Sequence, residues 1–428
     1  MAELEESLEP VNEPNKISKE KTKPDVKFND GFDAVNRFFN CCGMWDIYKP
    51  KFTRSRGYYR LQRIYYICSV ANLFPLMVGE FTYLVMSFRT DEDRFLETVD
   101  MLPCFILSVF AYLKTGILIT KRDKVRSLVV DLEKIWPDSD EKEVKKIVRD
   151  NMSVAKKFCV IYMTMTNAIS TTYPCLPLAG IAYNCIMRYI FHRDYKWNDR
   201  ASMPYIIWYP FDWTPLKVYI PTYISQIFAG FWVSSCVCST DCFFCILVSQ
   251  VCMHYQLLQR NIENITKNTS ISEQEKLKNI VEYHNQLYSF SERIEEIFSA
   301  TLYVNFASSS LMICIELFSI SIAPMPLALK YALFLGSSVG QIFLMCIYGD
   351  KLIEESGKVS ESAYNSDWTT GSRSLRHGVL MLMTRARKPA TVSLLGFTTA
   401  SFTTFSSIMS ASWSYFTMLH HMYEGAVE

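Results

Sequence analysis

Long apolar runs separated by charged stretches are the feature that most limits how this chain can fold. A helix needs about 20 mostly apolar residues to cross a bilayer, and several runs of the 428-residue sequence reach that length. The run that begins near Val218 continues past Val251, which is longer than one crossing requires. The distribution of apolar residues therefore predicts an all-α integral membrane protein.

The polar segments divide the chain into seven predicted membrane-spanning helices. A turn that contains Pro324 and Pro326 separates the fifth helix from the sixth. The predicted spans are residues 64–88, 97–119, 158–182, 218–251, 297–323, 327–348 and 391–419. The charged stretch at 120–157 also has apolar residues at helical spacing, namely Val125, Leu128, Val129, Leu132 and Ile135.

Lys and Arg are unevenly distributed between the polar segments. Of 44 such residues, 35 lie in four segments that would share one side of the membrane, and eight lie in the segments on the other side. Cytosolic segments retain Lys and Arg, so we predict a cytosolic N-terminus and an extracellular C-terminus. The regions are then a cytosolic N-terminal part (1–63), six helices with cytosolic extensions (64–348), a cytosolic anchor segment (349–390) and a last helix (391–428).

Composition and motifs argue against several classes of function. The formal net charge is +1, and there is no basic excess of the kind that binds nucleic acid. There is no HExxH motif and no Gly-rich phosphate loop. Cys236, Cys238, Cys242 and Cys245 are closely spaced, but they lie in an apolar run where Cys acts as a small hydrophobic residue. We therefore expect no catalytic residues, no metal site and no cofactor, and we expect that the chain is not an enzyme.

Glu80, Lys114 and Asp241 are charged residues inside predicted spans, where an unpaired charge is costly. Glu80 lies in the outer third of the first span, and Asp241 is expected to be buried against neighbouring helices. Lys114 is near the cytosolic end of the second span, where its long side chain can reach the interface. We interpret all three as structural. Cys175 and Cys185 are candidates for an extracellular disulfide.

Four stretches resemble one family of membrane proteins, the insect odorant receptors. The segment after the sixth helix and the end of the last helix resemble the corresponding parts of these receptors, and two stretches around the fourth and fifth helices are also similar. In chain order they are STDCFFCILVSQVCMHYQLLQ (239–259), YHNQLYSFSERIEEIFS (283–299), CIYGDKLIEESGKVSESAYNSDW (346–368) and SASWSYFTMLHHMYE (410–424). The resemblance covers the whole chain in order and topology.

The resemblance implies a ligand-gated, non-selective cation channel made of four subunits around a central pore. The shared co-receptor of the family has a long cytosolic insertion between the fourth and fifth helices, which is absent here, so the chain resembles a tuning subunit. The implied partners are co-receptor subunits, membrane lipid and a small volatile odorant. The implied location is the plasma membrane of a sensory neuron dendrite.

The resemblance also implies a ligand pocket in the outer half of the second, third, fourth and sixth helices. Such pockets are mostly apolar and aromatic with a few polar anchors. Residues of these halves occur at helical spacings that put each set on one face of its helix. They are Phe105, Ser108 and Tyr112; Asn167 and Thr171; Tyr223 and Ile227; and Tyr331 and Phe334. Ordinary helix packing is the alternative interpretation for each one.

The last helix is the candidate pore helix, because Ser and Thr recur along it among small and aromatic residues. One polar face suits a water-filled path, and an apolar constriction can close such a path by excluding water. Ser and Thr also occur where helices pack in lipid, which is the competing interpretation. Matching SYFTMLHHM to the end of the family's last helix places a hydrophobic gate at Met418 and Met422 and a polar pore-lining residue at His421.

Two other functions fit a polytopic chain. A G-protein-coupled receptor would have the opposite orientation and usually carries Asp-Arg-Tyr and Asn-Pro-x-x-Tyr motifs, neither of which is present. A transporter often has two repeated halves with broken helices, and the sequence shows no internal repeat. An odorant-gated channel is therefore the function that the sequence favours.

Overall fold

The computed structural model describes residues 27–44, 47, 56–87, 95–175, 177, 178, 182, 186, 189, 203–267 and 272–427. Cys185 lies outside this part of the chain, and with it the candidate disulfide. The α-helices whose bounds are described are α1 (Asp33–Cys41), α2 (Arg56–Ser87), α3 (Phe95–Thr120), α4 (Arg122–Lys134), α5 (Lys142–Thr172), α6 (Leu216–Glu263), α7 (Glu273–Ile322), α8 (Met325–Asn365), α9 (Arg373–Ala386) and α10 (Phe402–Val427).

Helix α6 is the centre around which the other helices pack. Every side chain from Cys242 to Tyr255 is at most 1% exposed, so this stretch is buried on all sides. A helix that is apolar all round has no face for solvent, and α5, α7, α8 and α1 cover it. The rings of Phe32, which precedes α1, and of Phe39 in α1 lie 5.9 and 5.5 Å from that of Phe243.

We call the densely packed end of the molecule the base. It consists of α1, α9 and the parts of α6, α7 and α8 at 236–263, 273–302 and 342–365. Helix α4 lies against α7 beside the base, and its predicted apolar positions Val125, Leu128, Val129 and Leu132 are buried, as the spacing predicted.

An ion pair joins α4 to α7 at the surface. The carboxylate of Asp131 accepts from Arg293 at 2.9 Å and from Lys134 at 3.0 Å. The hydrogen bond from Lys134, followed by that from Arg293, lowers the pKa of Asp131 below its ordinary value. The pair is partly exposed, so its contribution to stability is small.

Several helices are longer than the predicted spans. Helix α7 is continuous from Glu273 and therefore joins the charged residues at 273–296 to the fifth span. Helix α8 likewise continues past 348 to Asn365. Extension of α6 beyond a single bilayer crossing is confirmed. Apolar patterning marks where a helix can lie in lipid, whereas a helix itself continues until a capping or breaking residue ends it.

The last helix begins at Phe402, so the predicted start at 391 is wrong. Residues before it form a small antiparallel hairpin in which Ser393–Leu394 pairs with Thr398–Thr399. Leu395 and Gly396 at its turn have φ of 52° and 80°, a left-handed conformation that cannot continue an α-helix.

Ser299 of α7 fixes this hairpin. Its hydroxyl donates to the Ser393 carbonyl at 2.9 Å and accepts from the Leu395 amide at 2.7 Å. The left-handed Leu395 is thus held by a side chain of the base, and the start of α10 is set by contacts distant in sequence.

Seven helices (α2, α3, α5, α6, α7, α8 and α10) have 26 to 50 residues. Five helices of the described chain, namely α2, α3, α6, α7 and α8, are long and apolar enough to cross a membrane. Helices α5 and α10 are also long, but they are less apolar than these five and do not meet the same requirement. Seven crossings and the orientation of the termini stay predictions.

Candidate functional site

A cavity lies between α2, α3, α5, α6 and α8, away from the base. Its volume is about 90 Å³. One water needs only about 10–15 Å³ of such space, so the cavity can hold a molecule of several heavy atoms. Its wall is largely apolar and includes Leu73, Leu76, Leu107, Ile169, Val233 and Val237.

The segment 203–209 closes one side of the cavity, and we call it the roof. Gln226 of α6 holds it: its amide oxygen accepts from the Tyr205 amide at 3.0 Å, and its nitrogen donates to the Tyr209 hydroxyl at 2.9 Å. The Tyr205 ring stacks on Tyr173 at 5.3 Å. Because Tyr205 and Ile207 also line the cavity, movement of the roof would change the cavity's shape.

Close approach of the roof to α2 depends on a glycine. The Trp208 amide donates to the Gly79 carbonyl at 3.3 Å. A Cβ at Gly79 would lie 2.6 Å from the Trp208 carbonyl oxygen, which is closer than side-chain carbons approach such atoms. A larger residue there would displace the roof from α2.

A buried polar network lies at the inner end of the cavity. Gln341 of α8, which lines the cavity, donates to Asp241 of α6 at 2.6 Å. Lys114 of α3 donates to both oxygens of the same carboxylate at 2.7 and 2.9 Å. The expectation that Lys114 reaches the interface is wrong, because its side chain is 3% exposed and paired with Asp241. Burial of Asp241 against neighbouring helices is confirmed.

Two of the predicted pocket residues, Ser108 and Phe334, line the cavity. Tyr331 lines a smaller neighbouring cavity of about 10 Å³ together with Tyr173, Glu316 and Lys330. Phe334 lines both cavities, so the two α8 aromatics lie around adjacent spaces.

Asn167 and Thr171 of α5 are not among the lining residues, although their direct neighbours Thr166 and Ser170 are. Asn167 accepts from Ser235 at 3.0 Å and thereby joins α5 to α6. One residue corresponds to a rotation of about 100° around the helix. The predicted pair is therefore on the adjacent face of the correct helix.

The remaining predicted pocket residues also serve packing. The Tyr112 hydroxyl donates to the Val70 carbonyl of α2 at 2.6 Å, and that of Tyr223 donates to the Pro174 carbonyl. The Phe105 ring lies 6.1 Å from that of Phe81. Ile227 is half-buried and one position beyond the lining residue Gln226. The structure therefore does not bring these four residues to the cavity.

Four polar or aromatic lining residues that the sequence did not predict come from three places. Tyr162 and Thr166 are in α5, Gln226 is in α6, and Tyr205 is in the roof. The roof lies within the aromatic loop that precedes the fourth predicted span, so its composition was a usable signal. The others are single polar residues in apolar runs, which would have required knowledge of how each helix is rotated.

The two faces of α10 differ in what they contact. Phe416, Leu419 and Tyr423 pack against Ile315 and Phe318 of α7. The opposite side is open in the single chain, where Met418 and Met422 are 59% and 65% exposed and His421 is also exposed. The three predicted pore residues therefore lie together on an unpacked face.

An exposed polar stripe runs along that open side of α10. Its members recur at alternating steps of four and three, which places them along one side of a helix. They are Thr403, Ser407, Ser410, Ser414, Thr417 and His421. The Ser407 and Ser414 hydroxyls donate to carbonyls of their own helix at 3.0 Å, which leaves their lone pairs free to accept or to meet a cation.

Helix α8 contacts both the cavity and the start of α10. Beyond the lining residue Gln341, the ring of Phe343 lies 5.9 Å from that of Phe402 and 5.4 Å from that of Phe405. Further along, the carboxylate of Asp350 accepts from the Phe402 amide at 2.5 Å. Asp350 thus satisfies one of the free amides of the first turn of α10.

Comparison with known proteins agrees with this arrangement. The family model described as 7tm Odorant receptor matches residues 94–413. Odorant receptor 67c of Drosophila melanogaster is 26% identical over 368 residues, which cover 85% of this chain and 89% of the relative. Putative odorant receptor 92a of the same species is 27% identical over 372 residues, 85% of this chain and 88% of the relative.

A solved structure has the same fold. The insect olfactory receptor OR5 from Machilis hrabei in complex with eugenol superposes with a TM-score of 0.79, covering 92% of this chain and 98% of OR5 at 17% identity. A second structure of OR5 gives a TM-score of 0.75. These matches are odorant or olfactory receptors and not enzymes. Since the family model spans most of the sequence, the chain belongs to the insect odorant receptor family.

Proposed function

We propose that this chain is a tuning subunit of an odorant-gated, non-selective cation channel. It binds a small volatile molecule in the cavity between α2, α3, α5, α6 and α8. It assembles with co-receptor subunits as a heterotetramer in the plasma membrane of a sensory neuron dendrite, and each subunit contributes its last helix to one pore.

The observation that carries this proposal is the double contact of α8. One rigid helix lines the cavity with Phe334 and Gln341 and holds the first turn of α10 through Phe343 and Asp350. A ligand that fits one position of α8 better than another favours that position, and its differential affinity sets the size of the shift. The first turn of α10 then moves with α8.

The polar stripe of α10 supplies a path for ions in this proposal. Four copies of the helix around one axis would surround a pore with hydroxyl oxygens from Ser407, Ser410 and Ser414. Met418 and Met422 would meet their counterparts near its end and exclude water when the channel is closed. Their exposure in the single chain supports the idea that other subunits cover them.

The size and character of the cavity support a small, mostly apolar ligand. A volume of about 90 Å³ and a wall of Leu, Val, Ile and aromatic side chains favour a compact molecule with one or two polar groups. The fold neighbour OR5 was solved in complex with eugenol, which supports the same class of ligand here.

The basic residues support a cytosolic base and an extracellular roof. An epitope tag after Glu428 is then accessible to antibody on intact cells, whereas a tag before Met1 requires permeabilisation. A C-terminal tag that is reached only after permeabilisation would reverse this topology.

Currents in a cell without G-protein signalling test the function itself. We expect odorants to evoke cation current when the chain is co-expressed with a co-receptor, and little current when it is expressed alone. Robust odorant currents from the single chain would favour a homotetramer. No current with any odorant, when surface labelling shows both subunits at the plasma membrane, would contradict the channel.

A further inference from the structure

Glu80 is a buried carboxyl group in the wall of the cavity. It belongs to α2, lines the cavity and is 4% exposed. One of its oxygens interacts with the hydroxyl of Ser108 on α3. The other, Oε2, has no hydrogen-bond partner among the described residues. A strong acceptor is therefore left unsatisfied beside an otherwise largely apolar space.

The Lys side chains of this region have other contacts. Both oxygens of Asp241 accept from Lys114. The Lys330 ammonium lies 4.4 and 4.9 Å from the ring centroids of Tyr173 and Tyr331, in the smaller cavity. No ion pair of Glu80 exists within the described chain. Glu80 therefore differs from Asp241, which is also a buried acid but has its cation within the protein.

Glu316 of α7 is the useful comparison. It is 1% exposed, accepts from Ser338 at 2.8 Å and also has one oxygen without a hydrogen-bond partner. However, it lines the smaller cavity, which it shares with Lys330. Of the two acids, Glu80 is the one that faces the larger space.

A buried acceptor that lacks a partner is costly, and a ligand that supplies a polar hydrogen removes that cost. A hydroxyl or an amine can donate to Glu80 whether the carboxyl is ionised or protonated, because an acceptor oxygen remains in both states. An ether, ester or ketone can only accept, so it satisfies Glu80 in the protonated state alone. Molecules with a hydrogen-bond donor can therefore bind Glu80 whether its carboxyl is ionised or protonated.

We propose that Glu80 is the polar anchor of the cavity and that the ligands of this chain carry a hydroxyl or amine group on a compact apolar body. The apolar body would lie against Leu73, Leu76 and Phe334, with its polar hydrogen directed at the Glu80 carboxyl group. This inference rests on the proposed odorant-gated channel and specifies the chemical class of its ligand.

Matched probes separate the contribution of the donor group to potency from that of the apolar body. Two sets share one skeleton each: phenylethyl alcohol, phenylethylamine and phenylethyl methyl ether; and hexanol, hexylamine and hexyl methyl ether. Dose–response curves are measured in cells that express the full chain with the co-receptor. In at least one set we expect the alcohol or amine to be about tenfold or more potent than the ether, the range of one hydrogen bond to a charged or strongly polar group.

Two substitutions at one position assign that preference to Glu80. Glu80→Met keeps length and apolar volume without an acceptor, so the preference for donors over the ether should disappear. Glu80→Gln keeps an acceptor but removes the charge, so the amine should lose potency more than the alcohol. Glu316→Gln, in the smaller cavity, should leave the preference unchanged, and surface labelling confirms that each variant reaches the plasma membrane.

Three results would overturn the inference: an ether as potent as its alcohol and amine in both sets, equal loss for all probes in Glu80→Met, or a wild-type channel that responds to none of the six compounds. The proposed channel has a separate test. It fails only if no member of a broad volatile panel evokes current, whereas currents evoked equally by donor-free compounds would refute Glu80 as anchor and leave the channel intact.

Discussion

The base and the cavity end of the molecule are packed in different ways. In the base, the residues of α6 from Cys242 to Tyr255 are at most 1% exposed. At the cavity end, α2 presents Phe74, Val78 and Phe81 outward with 58%, 45% and 54% exposure. The helices there also enclose an open volume. The base therefore has one close-packed arrangement, whereas the cavity end has room for packing to change when a ligand enters.

Helix α8 runs through both regions, so it joins the open cavity end to the close-packed base. Its cavity-lining residues meet open space, while Tyr348 and Leu352 are 2% and 0% exposed in the base. In the proposed channel, a displacement of α8 that begins at the cavity would be transmitted along a helix whose far part is closely packed. The contacts with α10 at Phe343 and Asp350 lie at this transition.

We expect the largest effect when an aromatic side chain of the base is removed. Phe243→Ala removes a fully buried ring that contacts Phe32, Phe39 and Phe298. A Phe→Ala change in a core costs about 3–5 kcal/mol, so we expect little subunit at the cell surface and a lower melting temperature in detergent.

The matched change at the cavity end is Phe334→Ala. It removes ligand contact worth roughly 1.5–3 kcal/mol, or about ten- to a hundred-fold in potency, and we expect the subunit to reach the surface. Tyr331→Ala should shift the dose–response through the smaller cavity. Normal surface levels of Phe243→Ala, or unchanged responses in both α8 variants, would contradict the division into two regions.

An intermediate effect is expected where α8 holds α10. Asp350→Asn replaces a charged acceptor of the Phe402 amide with a neutral one, and the exposed setting limits the loss to about 1 kcal/mol. We expect a smaller maximal current with little change in the odorant concentration for half-maximal response. Glu354→Gln, on the same helix and paired with Lys358 at 2.6 Å, is the control. A pure potency shift in Asp350→Asn would place this residue in binding instead of coupling.

The smallest effect concerns the proposed gate. Met418→Ser or Met422→Ser puts a polar group into a barrier that works by excluding water, so we expect a higher basal current without odorant. The increase should be modest, because co-receptor subunits in a heterotetramer keep their own gates. Basal currents equal to wild type in both variants, at equal surface density, would mean that these side chains only pack against lipid or protein.

The sequence predicted the positions of the helices well, but it predicted poorly which side of each helix faces the cavity. Apolar runs predicted the positions of the long helices, and the amphipathic spacing in α4 identified its buried face. The cavity face was missed by one position at Asn167 and Thr171, whose neighbours Thr166 and Ser170 line it. In a helix surrounded by apolar partners and lipid, the pattern does not distinguish a cavity face from a packing face.

Contacts distant in sequence explain the other differences. Lys114 was expected at the interface, but Asp241 on another helix supplies its partner, and pairing outweighs exposure for a cation inside the bundle. The hairpin before α10 depends on Ser299, which is almost a hundred residues earlier in the chain. Glu80 was recognised as an intramembrane charge, yet only the structure shows that it lines a cavity.

Accessibility of α10 to a thiol reagent tests the central claim, that this helix lines the conduction path, most directly. Cysteines are introduced one at a time at Ser414, Met418 and Met422, and at Ser412, which lies on the same helix but is 0% exposed. Current through the co-expressed channel is recorded before and after a charged methanethiosulfonate reagent, with and without odorant, against the wild-type chain with its native cysteines. We predict that the reagent changes current at the three exposed positions, faster when odorant is present, and that Ser412→Cys behaves as wild type. Current that is indifferent to the reagent at all three exposed positions in both states would show that α10 does not line the pore.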